Sequence, residues 1–238
     1  MSTPETAGEP APPLPPWWHP LLTRVAAARV EDFTRLRRPE PGGRPSAVLV
    51  LFAQDDTGAP DVLLIQRPRT MRTHAGQPAF PGGAAEPGDD GPAGTALREA
   101  AEEVGLRQET VTVLATLPPL WIPVSDFVVT PVLAWWHAPH DLHAVQLSEV
   151  ARVARVRVAD LADPARRGQV RHPSGFVGPA FDVAGLRIWG FTAGVLARLL
   201  EMGGWAVPWS ANRIIDVDPT DAPPRPGVVG STGDAPVP

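Results

Sequence analysis

Residues 98–106 read Arg-Glu-Ala-Ala-Glu-Glu-Val-Gly-Leu, and any fold for this chain must accommodate four charges crowded onto two turns of helix. Pro92 suits the first turn of that helix and Gly105 its C-terminal end, so the spacing predicts a helix over 92–104. Glu99 and Glu103 lie four apart and project from one face, where like charges repel unless a cation lies between them. Hard divalent ions take oxygen ligands, so the pair is a candidate metal clamp. Arg98 and Glu102 are also four apart, on the adjacent stripe. Arg98 can therefore hold Glu102 while Glu102 reaches the same ion or a bound water. Taken alone, the same residues also fit a solvated acidic face.

Upstream stand Phe80-Pro81-Gly82-Gly83 and an acidic, glycine-rich loop ending at Asp90. A glycine pair lets backbone turn sharply and approach phosphate or metal closely. Loop and helix together resemble the Nudix box: Gly, five residues, Glu, seven residues, then Arg-Glu-aliphatic-x-Glu-Glu-x-Gly-aliphatic. Counting back from Arg98 puts the acid on Asp90 and the glycine on Ala84. The nearest glycine is Gly83, so the loop reads one residue long, and Ala100 stands where a larger aliphatic is expected. The resemblance implies an α/β (α+β) fold with a Nudix-type mixed β-sheet sandwiched between helices. It also implies Mg²⁺ or Mn²⁺ held by Glu99, Glu102 and Glu103, with Arg98, Glu102 and Glu103 in the catalytic machinery.

A second block narrows the resemblance. Residues 63–83 contain Leu-Leu-x-x-Arg ending at Arg67, then Arg72-x-His74-x-Gly76-Gln77, then Phe80-Pro81-Gly82-Gly83. This is similar to the signature before the box in coenzyme A pyrophosphatases, as are residues 125–132 and 188–193. The resemblance covers roughly residues 46–202. It implies hydrolysis of coenzyme A or acyl-CoA to 3′,5′-ADP and 4′-phosphopantetheine, with water attacking a phosphorus of the pyrophosphate. Arg67, Arg72, His74, Gln77, Gly82 and Gly83 are the implied substrate-binding positions. The chemistry agrees, since Arg forks match phosphate oxygens; Arg69 falls off the signature and reads as a surface charge. The general base is either a glutamate of the box or Glu149, an isolated acid before a late apolar segment. Two alternatives stay open: another nucleoside diphosphate derivative (ADP-ribose, NADH or a nucleotide triphosphate), and a non-catalytic nucleotide-binding domain, against which the intact glutamates argue.

Elsewhere the chain is punctuated by 31 prolines and 22 glycines. Residues 1–16 read as a disordered Pro-rich lead, 17–216 as the Nudix hydrolase domain, and 217–238 as a disordered tail. Within the domain a first helix is expected near 20–35, strands at 47–53, 61–66, 111–117, 127–136 and 149–158, and a last helix at 187–202. The net charge of −5 argues against a nucleic-acid or anionic-membrane partner, leaving a small-molecule substrate. There are no cysteines, which excludes disulfides and thiolate chemistry. All basic residues are arginine, as a GC-rich genome would give. Without a secretory signal or an apolar run near 20 residues, the expected location is cytoplasmic. The oligomeric state is left open, a homodimer included. His137, His140 and His143 invite a zinc reading, but Pro139 and Asp141 favour an exposed loop. Arg35, Arg37 and Arg38 read as a solvated helix end, and the eight tryptophans as packing residues.

Overall fold

The run of apolar residues from 47 to 53 shows no alternation because it is buried on both faces. Val48, Val50 and Phe52 turn to one core, and Ala47, Leu49, Leu51 and Ala53 to another. A computed structural model describes residues 12–36, 42–71, 74–123, 125–171 and 177–217. Along the chain these form α1 (Trp18–Val25), α2 (Val30–Phe33), β1 (Arg44–Gln54), β2 (Pro60–Gln66), β3 (Pro78–Ala79), β4 (Gly82–Ala84) and α3 (Gly91–Val104). A 3₁₀ turn at Gln108–Thr110 leads into β5 (Val111–Thr116), β6 (Leu120–Ile122), β7 (Phe127–Trp136), β8 (Arg152–Arg157) and α4 (Val158–Ala162). The chain then forms β9 (Arg167–Arg171), β10 (Val177–Val183), β11 (Leu186–Ile188) and α5 (Gly190–Gly203).

β1 is the axis of a mixed sheet. One edge pairs in parallel with β7 over residues 44–52. The other edge takes β4 at Ser46–Val48 and β2 at Phe52–Gln54, both antiparallel. β2 carries β3 beside β1 and β8 on its far side, and β7 carries β5 and β6 on its outer edge. α3 covers one face through Ala96, Ala100 and Val104. Both alanines are fully buried, so the small Ala100 lets the helix lie close on the sheet. α1 and α5 cover the other face around Trp18, Leu21, Phe52, Leu196 and Leu200. Burying a Val, Leu or Phe side chain contributes roughly 1.5–3 kcal/mol and an alanine methyl less, so Val104 with the two alanines holds α3 on the core beneath it. The mixed sheet between helices is the architecture expected.

Several details differ from the sequence expectation. The helix near 20–35 is two helices, because Asp32 accepts the Arg29 N–H at 2.8 Å and starts a new turn there. The strand placed at 149–158 occupies only Arg152–Arg157 before α4 begins. The last helix starts at Gly190, since Leu186–Ile188 pair with β10 in a second, three-stranded sheet. Packing begins ahead of Trp17, with Leu14 against the core and Pro15 buried. Most of the Pro-rich lead, the tail beyond 217, Arg37, Arg38 and Arg72 lie outside the described residues.

Candidate active site

α3 ends at Gly105, whose φ of 72° turns the chain out of the helix. Two residues earlier, Glu103 has no exposed surface. Its Oε2 accepts the Gly82 N–H at 3.0 Å, while Oε1 is buried without a partner among the described residues. Burial pushes this carboxyl up to about 7; the Gly82 N–H and the charge of Arg67 oppose the shift, and Glu99 and Glu149 add to it. Glu99, mostly buried, is also raised chiefly by burial, against the pull of Arg98 and with a push from Glu102 and Glu149.

The glycine pair fits this wall closely. A Cβ on Gly82 (φ 151°) would lie 2.3 Å from the Ala47 carbonyl oxygen. A Cβ on Gly83 would lie 2.3 Å from Glu99 Oε1. The two glycines thus seat the loop between β1 and the carboxylates of α3.

Arg98 organises the outer charges. Its Nη1 lies 3.1 Å from Glu99 Oε1 and 3.3 Å from Glu102 Oε2, its Nη2 donates to the Ala84 carbonyl at 3.0 Å, and its Nε donates to Asp89 Oδ1 at 2.9 Å. Glu102 itself is half exposed. Asp89, not Asp90, is therefore the acid that anchors this arginine. It also accepts the Thr95 hydroxyl at 2.8 Å and the Glu86 N–H at 2.8 Å. These bonds hold the Asp89 carboxyl far below its ordinary value, the Arg98 bond foremost, and Asp89 in turn raises the Arg98 guanidinium. Asp90 is exposed at the helix start and makes no side-chain capping bond. Gly83, five residues, then Asp89 preserves the front of the pattern, and the extra residue falls after the acid, where Gly91 has φ 62°. Asp89→Ala is expected to cost activity roughly 10–100-fold, with a lower thermal midpoint, and Asp90→Ala very little. Matching losses in the two variants would return the anchoring role to Asp90.

The second block meets the same wall. Arg67 follows β2, its N–H bonds the Gln77 carbonyl at 3.0 Å, and its charge acts on Glu103. His74 has φ 57°, and its Nδ1 lies 2.9 Å from Gln77 Oε1. With an amide oxygen as acceptor the proton sits on Nδ1, leaving Nε2 to accept. Burial, with Arg67 adding to it and the Gln77 bond opposing, lowers the His74 pKa and keeps the ring neutral. Arg69 is exposed. Glu149 ends a turn facing α3, where its charge acts on both Glu99 and Glu103, and it accepts the Gln146 amide at 2.9 Å. Thr192 at the start of α5 donates to the Pro78 carbonyl at 3.2 Å, tying that helix to the strand before Phe80.

The structure thus assembles Glu99, Glu103, Glu149, Arg67, Arg98, Gly82 and Gly83, with Glu102 at the rim and His74 and Gln77 paired beside Arg67. Of the histidines of 137–143, His140 Nε2 accepts the Arg107 N–H at 3.2 Å and its ring meets Trp136 edge-on, while the His143 N–H bonds the Val104 carbonyl at 3.4 Å. The oxygen donors of α3 suit a hard divalent ion in kind, and the partnerless Oε1 of Glu103 supplies a buried acceptor for one. Among the described residues no three such side chains converge on one point; Arg98 Nη1 lies between Glu99 and Glu102, where a cation would bridge them. Sequence reasoning placed the carboxylates but missed Asp89, recoverable from its spacing to Gly83, and Gln146, which carries no signal.

Residues 43–173 match the NUDIX domain family. The chain belongs to the Nudix family. It is 36% identical over 194 residues to a protein of Citrobacter koseri described as "Uncharacterized Nudix hydrolase NudL", covering 73% of this chain and 95% of that one. A protein of the same description from Klebsiella pneumoniae is 36% identical over 193 residues, covering 74% and 96%. Among solved structures, the Nudix hydrolase RenU of M. smegmatis shares the fold with a TM-score of 0.51 at 23% identity, covering 71% of this chain and 91% of that one. Nudix hydrolases cleave pyrophosphate bonds, generally with divalent metal ions, and this Nudix protein is a hydrolase of a nucleoside diphosphate derivative. None of its described helices is long and apolar enough to cross a membrane.

Proposed function

We propose that this Nudix hydrolase is a coenzyme A pyrophosphatase of the cytoplasm, releasing 3′,5′-ADP and 4′-phosphopantetheine, or its acyl form, from coenzyme A and its thioesters. The observation that carries the reading is that Arg67, whose charge acts on the buried Glu103, is bonded through its N–H to the Gln77 carbonyl, with His74 paired to Gln77 beside it. Coenzyme A bears a pyrophosphate and a 3′-phosphate, so its site needs cationic forks beside the metal-binding carboxylates. Arg67 and Arg72 supply them, and His74 and Gln77 complete the lining. Gly82 and Gly83, seated between β1 and the carboxylates of α3, would present backbone rather than side chain to the substrate.

Glu103, Glu99 and Glu102 would hold Mg²⁺ or Mn²⁺. When bound, such an ion neutralises pyrophosphate charge and lowers the pKa of a bound water. Arg98, fixed by Asp89, keeps Glu99 and Glu102 beside each other. Glu149 takes a proton from the attacking water as its oxygen bonds to phosphorus and the bridging P–O bond breaks. The leaving phosphate oxygen carries away the released electron pair.

The test is product chromatography after incubation with Mg²⁺ or Mn²⁺ and, separately, coenzyme A, dephospho-coenzyme A, ADP-ribose, NADH and dGTP. Selective release of 3′,5′-ADP from coenzyme A is the expected outcome. Preferential cleavage of another member would keep the hydrolase chemistry and discard coenzyme A as the substrate.

A further inference from the structure

The segment between β7 and β8 is anchored at both ends by backbone bonds to the elements that build the site. Val145 N–H donates to the Glu103 carbonyl at 2.9 Å, and Ala151 N–H to the Gln66 carbonyl at 2.8 Å, one residue before Arg67. Val150 is fully buried against the α3 side of the sheet. Between these anchors the chain makes a tight turn, in which the Gln146 carbonyl accepts both the Glu149 and the Val150 N–H at 2.9 Å. The tip is exposed, Leu147 to 74%.

Backbone thus places the Cα of Glu149 but not its carboxylate. A glutamate side chain at a turn samples several rotamers. The one side-chain hydrogen bond that Glu149 makes among the described residues is from Gln146 Nε2 to Oε1, at 2.9 Å. It fixes one oxygen and leaves Oε2 able to accept a proton. The donor is a neutral amide, which orients a base without placing beside it the full positive charge that would weaken it.

We infer that Gln146 is a positioning residue that holds the Glu149 carboxylate in the orientation needed to take a proton from water. The inference rests on the reading of Glu149 as the base. A double-mutant cycle tests the two separately. Gln146→Met keeps length and removes the donor, Glu149→Gln removes the base, and the pair is combined. The readouts are kcat, KM and thermal midpoint with Mg²⁺ and the substrate cleaved fastest in the panel above. Gln146→Met is expected to lower kcat about tenfold at unchanged KM and midpoint, and to have no further effect on top of Glu149→Gln. An equal tenfold loss in the Glu149→Gln background, or a loss expressed in KM, overturns the positioning role and leaves the base reading standing. Wild-type kcat in Glu149→Gln alone removes the base reading and this inference with it.

Discussion

Glu103→Gln is expected to lower kcat about 10³-fold, a few kcal/mol of lost transition-state stabilisation, while making the metal-free protein no less stable. The side chain keeps its shape, and its amide oxygen can still accept the Gly82 N–H. What disappears is a charge whose carboxyl, with no exposed surface, is pushed by burial up to about 7 from an ordinary 4.5. In the free enzyme that shift works against the fold. Between pH 4.5 and about 7 the native state holds a proton that the unfolded chain has lost, so stability falls as pH rises through that window. Thermal scans in a chelator at pH 5, 6, 7 and 8 should show the decline in the wild type and a flatter profile in Glu103→Gln. A divalent ion must displace that proton, so metal affinity should climb over the same range. Normal turnover in the variant would remove Glu103 from the ion-binding set, and an unaltered pH slope would show that the titrating group lies elsewhere.

The neighbouring glycines should fail in opposite ways. Gly83→Ala sets a methyl group against the end of the Glu99 side chain, which can swing aside, so the protein should fold with little loss of stability. The displaced carboxylate is one of the two that share a face of α3, and kcat should drop by about 10² or more. Gly82→Ala meets the Ala47 carbonyl and the Val48 backbone, which cannot move without distorting β1, at a φ of 151°. It should cost roughly 3 kcal/mol or more of stability. Denaturant midpoints and single-turnover rates on both variants separate the effects. A destabilised Gly83→Ala with a normal rate per folded molecule would show that Gly83 matters for packing and not for placing Glu99.

How much of this could be read in advance depended on pattern length. α3 was legible because its charges, Pro92 and Gly105 all agree, and β1 and β7 because a long apolar run between turn residues has few other uses. β3 and β4 span two and three residues of Pro, Ala and Gly, too short and too poor in side chains to leave a periodic trace. β9 reads Arg-Gly-Gln-Val-Arg, and its strand character comes from β10 beside it rather than from its own composition. In the site, Glu99 and Glu103 follow from helical spacing alone. Spacing counted from the helix reaches Asp90 rather than Asp89, because it cannot say on which side of the acid an extra residue falls. Gln146 and Glu149 are brought to the site by a turn held through two backbone bonds, one to α3 and one to β2, contacts that composition does not encode.

The pairing of β2 with β8 bears on how the chain is made. Residues 61–66 receive their far-side partner only from residues 152–157, about ninety positions later. Until that stretch leaves the ribosome, Val62, Leu63, Leu64 and Ile65 form an apolar strand with one margin open to any other strand. Synthesis halted after β7 would already have produced α3 and its glutamates, yet would yield a sticky half-sheet rather than a weak enzyme. Chaperone dependence in this protein should therefore be concentrated in the interval between the emergence of β2 and that of β8.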